Sequence, residues 1–102
     1  MTGRQLARFR VWESGTAREI EVHGQTARAL VALVEAGPRG CTALEVSTWA
    51  YRFAAYCHEL RHRYRLAIRC DREEHLGGWH GRHTLESPVE VLAGETEGEA
   101  FQ

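Results

Sequence analysis

The longest stretch of helical periodicity in this chain runs from Thr48 to about Tyr64. When this stretch is placed on a helix, one sector of about 100° collects its large apolar residues and predicts a face packed on a core. That sector holds Trp49, Phe53, Tyr56, Cys57 and Leu60. The opposite side holds Tyr51, Ala55, His58 and His62, flanked by Thr48, Arg52 and Glu59. The second face is aromatic and basic, and it suits a polar or anionic partner.

Alternating segments on both sides of the helical region predict two β-hairpins. The runs "LARFRVWE" and "REIEVH" are separated by "SGTA" and predict an N-terminal hairpin over residues 6–23. After the long helix, "LAIRCDRE" places Leu66, Ile68 and Cys70 on one side of a strand, and "RHTLE" alternates again. The three glycines of "EHLGGWHG" lie between them, so a second hairpin with a wide tip is expected over residues 66–86.

Two further helices are predicted between the first hairpin and the long helix. The first begins near Gln25 or Thr26, and Gly37-Pro38 ends it. Its apolar residues at helical spacing are Ala27, Leu30, Val31 and Val34. Thr42 is followed three residues later by Glu45, which is a capping-box pattern, so a short second helix is expected over residues 42–47.

A chain of 102 residues with 43% hydrophobic residues is long enough for one domain with a modest core. We expect that domain to cover residues 1–92. Residues 93–102 carry three glutamates and no basic residue, and predict an acidic disordered tail. The longest apolar run, Ala29 to Val34, is far shorter than the roughly 20 residues of a membrane span, and the N-terminus has no apolar signal segment. These features predict a soluble, cytoplasmic protein.

The three cysteines, Cys41, Cys57 and Cys70, are widely spaced and include no C-x-x-C pair. This pattern indicates neither a disulfide framework nor a zinc ribbon. We therefore expect all three to be buried, reduced thiols.

The charges are unevenly distributed, although the net charge is only −1. All 13 basic residues are arginine, and the segment from Arg39 to Arg82 contains eight arginines and five acids, together with four histidines. That segment therefore has a local positive excess, which is a feature of nucleic-acid-binding surfaces.

The order of these elements, together with three short sequence patterns, carries a resemblance to a known family. The patterns are "AGPRGCT" before the short helix, "WAYRFAAYCHELR" in the long helix and "RLAIRCDRE" leading into the glycine-rich tip. From about Arg4 to Leu92 the chain resembles small winged helix-turn-helix proteins of bacterial and prophage genomes, with Arg65 in the connection where that family has a glycine. The resemblance implies an α+β fold with three helices, an N-terminal β-hairpin, a helix-turn-helix over residues 26–64 and a C-terminal β-hairpin wing.

The resemblance also implies binding to double-stranded DNA, as a transcriptional or phage-type regulator, without catalytic residues or a cofactor. In a helix-turn-helix the second helix enters the major groove by its N-terminal half. This places Tyr51, Arg52 and Ala55 near the base edges, with Thr48 flanking them and His58 further along. Arg61, Arg63 and Arg65 lie near the end where phosphates pass. In the wing, the expected DNA contacts are Trp79, His80 and Arg82. Two alternatives remain open: Arg52 pairs with Glu45 or Glu59, and Trp79 folds back over the core.

Residues 58–62 read "HELRH", which matches the H-E-x-x-H pattern of zinc peptidases. A catalytic zinc needs a third protein ligand, and the metzincin continuation requires a glycine at position 65 and a histidine at position 68, where this chain has Arg65 and Ile68. We therefore expect no enzyme and no catalytic metal. Incidental metal binding by the two histidines, one helical turn apart, remains open.

A competing hypothesis is a winged-helix module that binds another protein or forms a homodimer. The N-terminal hairpin supplies the apolar residues for such a contact, namely Leu6, Phe9, Val11, Trp12, Ile20 and Val22. The near-neutral total charge favours this hypothesis, whereas the local positive excess favours DNA.

Overall fold

The computed structural model describes residues 6–43, 45, 52–96 and 99–100. Its strands are β1 (Leu6–Glu13), β2 (Thr16–His23), β3 (Ile68–His75), β4 (Gly78–Leu85), β5 (Val89–Thr96) and β6 (Glu99–Ala100). Its helices are α1 (Gly24–Ala36), a 3-10 turn (Gly37–Arg39) and α2 (Phe53–Arg63). The described residues thus contain two α-helices rather than the three expected from the sequence. Residues 44 and 46–51, which include most of the expected short helix, lie outside the described part.

The first sheet is antiparallel, in the order β2-β1-β5-β6. The expected N-terminal hairpin is present, and its two-residue turn at Ser14 and Gly15 has positive φ at both residues, which matches the right-handed twist of the flanking strands. Ala7, Phe9 and Val11 of β1 are fully buried. Alternation therefore directs one face of β1 into the core and leaves the other face outside.

Strand β5 corrects two expectations about the ends of the chain. It pairs with β1 from Val89 through Glu95, so β1 lies inside the sheet and is not an edge strand. Ala93–Thr96 and Glu99–Ala100 are strand residues, where a disordered tail was expected from residue 93. Local composition does not reveal this strand because its order depends on main-chain pairing with a segment 78 to 89 residues away.

Helix α1 packs against the first sheet, α2 and β4. Gly37, with φ of 59°, ends it as expected. Its buried residues are Thr26, Ala27, Ala29, Leu30, Leu33 and Ala36. Val31 and Val34, expected on the core face, are only half-buried. The buried arc is wider than predicted because α1 contacts several elements at once, so small residues such as Ala29 face close neighbours.

Helix α2 buries the predicted face. Phe53, Cys57 and Leu60 are buried and Tyr56 is half-buried, while Trp49 lies outside the described residues. Before α2, the Glu45 N–H donates to the Thr42 hydroxyl (3.3 Å) and the Thr42 N–H donates to the Glu45 carboxylate (3.2 Å). These reciprocal bonds are a capping box, as the sequence predicts at this position.

The second sheet is the β3-β4 hairpin, which matches the predicted wing. Cys41, after the 3-10 turn, forms a two-way main-chain bridge with His83 of β4, at 2.9 Å in each direction. Leu66 and Ile68 are buried as expected, but Cys70 is exposed. The hairpin extends beyond the core at that point. The side of β3 that is buried at Ile68 is therefore exposed at Cys70.

The other two thiols are buried as expected. Burial, more than any neighbouring charge, raises the pKa of Cys41 to about 11 and of Cys57 to about 12. Both are therefore protonated at neutral pH, which is typical of inert core cysteines. No helix in the described part of the chain is long and apolar enough to cross a membrane.

The C-terminal end of α2 is held by the N-terminal hairpin. The Arg18 guanidinium of β2 donates to the Tyr64 carbonyl (2.6 Å), and also contacts Glu13 (3.2 Å). Arg65 then adopts a left-handed φ of 59°, which lets the Leu66 N–H donate to the Leu60 carbonyl (3.2 Å). The chain can therefore turn sharply from α2 into β3.

Replacing Arg65 by glycine should stabilise the protein. An L-residue in the left-handed region costs about 1 to 2 kcal/mol, and glycine loses about 0.5 to 1 kcal/mol of this gain through the greater freedom of its unfolded chain. We expect Arg65→Gly to raise the free energy of unfolding by about 0.5 kcal/mol in urea melts. Arg65→Ala is the control, because it keeps the Cβ and should give no gain. A glycine variant less stable than the alanine variant would contradict this account of the turn.

Candidate nucleic-acid interface

The exposed side of α2, together with its N-cap residue, carries five of the ten residues that the sequence predicted for DNA contact. Arg52 precedes the first turn, and Ala55, His58, Arg61 and Arg63 follow along the helix, all of them exposed. Because Phe53, Cys57 and Leu60 hold the other side in the core, this face is fixed outward. Thr48 and Tyr51 lie outside the described residues.

The arginines at α2 differ in whether their side chains already pair with other residues of the chain. Arg63 pairs with Glu59 at 3.4 Å, one turn earlier, and lies over the Tyr64 ring. Arg52 and Arg61 make no side-chain hydrogen bond or ion pair with any residue in the described part of the chain. The alternative in which Arg52 pairs with Glu45 or Glu59 is therefore not the arrangement observed. Arg52 and Arg61 are the cations that this helix offers to an outside partner.

The arginines of the wing, unlike Arg52 and Arg61, contact neighbouring side chains, and the tip of the wing exposes apolar residues. Its turn exposes Leu76 completely, and Trp79 is 57% exposed under the Arg72 guanidinium, 4.8 Å from the ring centroid. Trp79 therefore does not fold back over the core. Arg69 contacts Asp71 (2.8 Å) and Glu86 (2.9 Å), so its charge is matched by neighbouring carboxylates. The wing thus exposes two large apolar side chains near its tip, and its arginines are paired with neighbouring carboxylates.

Arg82 is the centre of a charged cluster that joins the wing to the rest of the domain. Its guanidinium contacts the carboxylates of Glu73 (2.6 Å) and Glu45 (3.1 Å). It also donates to the main-chain carbonyls of Arg39 and Gly40, each at 3.3 Å. The hydrogen bonds from Arg82 lower the pKa of both carboxyl groups below their ordinary range, and the two carboxylates in turn raise the pKa of Arg82.

This cluster bears on the predicted phosphate contact of Arg82, because it shows where the guanidinium donors are directed. Its donors are directed at β3, at the capping box and at the 3-10 turn, so a phosphate would have to displace them. His80 lies at its edge, with Nε2 2.9 Å from Glu73. Gly40 permits the close approach that the cluster needs, since a Cβ there would lie 2.5 Å from the Thr84 hydroxyl at a φ of 70°. Arg82 therefore positions the wing within the fold, and its phosphate contact stays a prediction.

Loss of Arg82 should therefore destabilise the fold itself. We expect Arg82→Ala to lower the melting temperature, because Glu45 and Glu73 lose their shared cation and the wing loses its tie to the capping box. Arg82→Lys should recover little, since an ammonium group cannot present the planar fork that reaches all four acceptors. The measurement is thermal unfolding followed by circular dichroism.

Arg69→Ala is the matched control for that experiment. It removes a wing arginine with two carboxylate partners, but both pairs are about half exposed and contribute little to stability. If Arg82→Ala melts at the same temperature as Arg69→Ala, the cluster does not hold the wing in place.

His83 is a half-buried titratable group behind the candidate interface. Its ring packs edge-on against Phe53, with centroids 5.4 Å apart, and its Nδ1 has no hydrogen-bond partner among the described residues. Burial, and secondarily the positive charge of Arg61, lowers the pKa of His83 below its ordinary value of 6.5. The folded protein therefore holds His83 neutral.

Stability should decrease as the pH falls below 6.5, the ordinary pKa of a histidine such as His83. Below that pH the unfolded chain binds a proton at His83 more readily than the folded chain does. The stabilising contribution of neutral His83 is therefore fully present above pH 6.5 and is lost on acidification. We expect the urea midpoint to drop between pH 7 and pH 5. His83→Phe, which keeps an aromatic ring against Phe53, should flatten that part of the profile. An unchanged slope in the variant would assign the acid sensitivity to other groups.

The H-E-x-x-H segment is arranged differently from a peptidase site. The Glu59 carboxylate accepts a hydrogen bond from the Thr26 hydroxyl (3.1 Å) and pairs with Arg63, so it ties α2 to α1. His58 and His62 lie side by side with ring centroids 4.1 Å apart. The described residues contain no cluster of three or more potential metal ligands.

The outer face of the first sheet bears on the competing protein-binding hypothesis. Its cross-strand ion pairs are Arg8–Glu21, Arg10–Glu19 and Arg10–Glu90, each at 3.5 Å. Trp12 is the large apolar side chain on this face and is 47% exposed. Phe9, Val11 and Val22, which the sequence analysis considered for a partner contact, are fully buried in the chain's own core.

Sequence reasoning missed the residues that position the site. Arg18 and Thr26 bond to residues 46 and 33 positions away, Glu73 bonds to Arg82 across the β3-β4 hairpin, and none of the three belongs to a recognisable motif. Only Glu45 had a local signal, the capping box, and that signal predicted its bond to Thr42 but not its bond to Arg82. Side-chain contacts between distant elements leave no periodicity in the sequence.

Comparison with known proteins identifies the domain type. A family model described as a winged helix domain matches residues 19–95, which is more than half of the chain. No curated protein and no solved structure matches the chain significantly.

Proposed function

Since the chain belongs to the winged helix domain family, we propose that it binds double-stranded DNA through the exposed face of α2, with the β3-β4 wing alongside. The observation that carries the proposal is the pair Arg52 and Arg61. Both are exposed at opposite ends of a helix whose other face is buried, and neither is paired with a described residue. Two uncompensated guanidinium groups on a rigid helix are a typical phosphate- and base-binding arrangement.

The residues of α2 divide by their position along the helix. Arg52, at the N-terminal end, is proposed to contact base edges, for which a planar guanidinium is well suited. Ala55 has a small side chain that lets the helix axis approach the groove floor, and His58 follows one turn further on. Arg61 and Arg63, near the C-terminal end, are proposed to contact phosphates. Thr48 and Tyr51 remain sequence-based proposals for the same groove.

The wing is proposed to add contact area rather than charge. Trp79 and His80 are placed on β4 beside the tip, and the acidic partners of Arg69 and Arg72 cancel most of the local positive field. A neutral apolar hairpin lies against DNA mainly through sugar and groove-edge contacts. The salt-sensitive part of binding should therefore come from α2.

We further infer that the protein is a cytoplasmic regulator of transcription and not an enzyme. A small domain with a DNA-binding fold suits occupancy of an operator. Glu59, the residue that a peptidase would need as a base, is already bonded to Thr26 and Arg63.

The proposal is tested by a fluorescence anisotropy titration with random duplex DNA at several salt concentrations. We expect micromolar binding at low salt that weakens steeply as salt rises, through counterion release. Arg61→Ala should weaken binding and reduce the slope of log K against log salt by about one. On a selected site, Arg52→Ala should lose about 1 to 3 kcal/mol, with a smaller loss on random duplex.

Arg69→Ala is the matched control, because this arginine is exposed but already paired within the wing. It should leave affinity and slope nearly unchanged. The absence of binding at micromolar protein and low salt would reject the DNA proposal. The protein-interaction hypothesis, with Trp12 at its centre as a possible dimer or partner contact, would then be favoured and is checked by sedimentation of wild type and Trp12→Ser.

A further inference from the structure

His58 and His62 form a side-by-side pair that the proposed function does not fully use. They are separated by four residues on α2, both are exposed, and their ring centroids are 4.1 Å apart with planes tilted by 38°. The proposed DNA contacts include His58 alone. The relative placement of the rings is fixed by the helix, because residues four apart lie on the same face of adjacent turns.

Both rings keep their nitrogens available. Neither His58 nor His62 has a hydrogen bond to a residue in the described part of the chain. Neutral imidazole is the commonest protein ligand for late first-row metals, and two imidazoles one turn apart on a helix can chelate a single ion. The helix therefore holds the two imidazole donors close together on the same face.

The surroundings determine which kind of ion fits. Glu59, the nearest carboxylate in sequence, is bonded to Thr26 and Arg63, and the described residues provide no third ligand. A site of two nitrogens, completed by water, has no attraction for Mg²⁺ or Ca²⁺, which require several oxygen ligands. It suits nickel, copper or zinc, with affinity following their general order for nitrogen ligands.

We propose that His58 and His62 bind one late first-row divalent cation as a two-imidazole chelate on the exposed face of α2. The bound ion bridges adjacent turns of the helix and so stabilises the folded state over the unfolded one. Metal binding at this site does not require DNA, since it needs only the two rings and the helix that carries them.

The test is isothermal titration of the full chain with Ni²⁺, in a Cys70→Ser background that removes the exposed thiol. We expect one ion per chain and a rise in melting temperature that EDTA reverses. His62→Asn should weaken binding at least about tenfold, because the second donor no longer acts at high effective concentration. His23→Asn, which removes an exposed histidine on β2, should bind like the parent.

A register-shift variant tests whether Ni²⁺ binding depends on the spacing of the two histidines or only on the number of histidines. His62→Asn combined with Arg63→His keeps all six histidines but moves the second ring about 100° around α2. It should bind as weakly as His62→Asn alone, with circular dichroism confirming that each variant is folded. Equal Ni²⁺ affinity in the parent and the register-shift variant would overturn the proposal. Because no DNA is present, the result is independent of the anisotropy titration.

Discussion

The Arg82 guanidinium is the interaction on which the arrangement of this domain depends. It joins Glu73 of the wing, Glu45 of the capping box and the carbonyls after α1, so one side chain relates three otherwise separate segments. The main-chain bridge between Cys41 and His83 lies beside it and fixes the same junction. The wing is a two-stranded hairpin, and such a hairpin is only marginally stable without contacts to the rest of a domain. This junction supplies part of those contacts. The position of the wing relative to α2 therefore follows from charge-assisted bonds as well as from the core.

The second constraint lies at the other end of α2, where Arg18 donates to the Tyr64 carbonyl. The C-terminal carbonyls of a helix have no partners within the helix and carry partial negative charge, so a guanidinium there is favourable. The N-terminal hairpin consequently orients α2 in addition to covering the core. Arg18 and Arg82 thus bind the chain to itself, whereas Arg52 and Arg61 are exposed and pair with no residue in the described part of the chain.

Sequence periodicity predicted the features that local chemistry determines. Both hairpins, the buried face of α2 and the bonds between Thr42 and Glu45 all arise from residues a few positions apart. The β5 strand was missed because its acidic composition resembles that of a disordered tail, and only pairing with β1 orders it. The exposure of Cys70 was missed for a related reason: alternation predicts which residues share a side, but not where the core ends. The resemblance to the winged helix family was correct, although it did not show that Arg82 is engaged within the fold.

These internal pairings also explain how a chain of net charge −1 can present a cationic surface. Interactions between exposed charges are screened over about 8 to 10 Å at physiological salt, so the total charge matters less than which cations remain unpaired at the contact. Glutamates in the first sheet are matched by Arg8 and Arg10 on the far side of β1 from the core. Those in the wing are matched by its own arginines. The field along α2 is therefore set by Arg52 and Arg61, and the acidic majority of the chain does not cancel it.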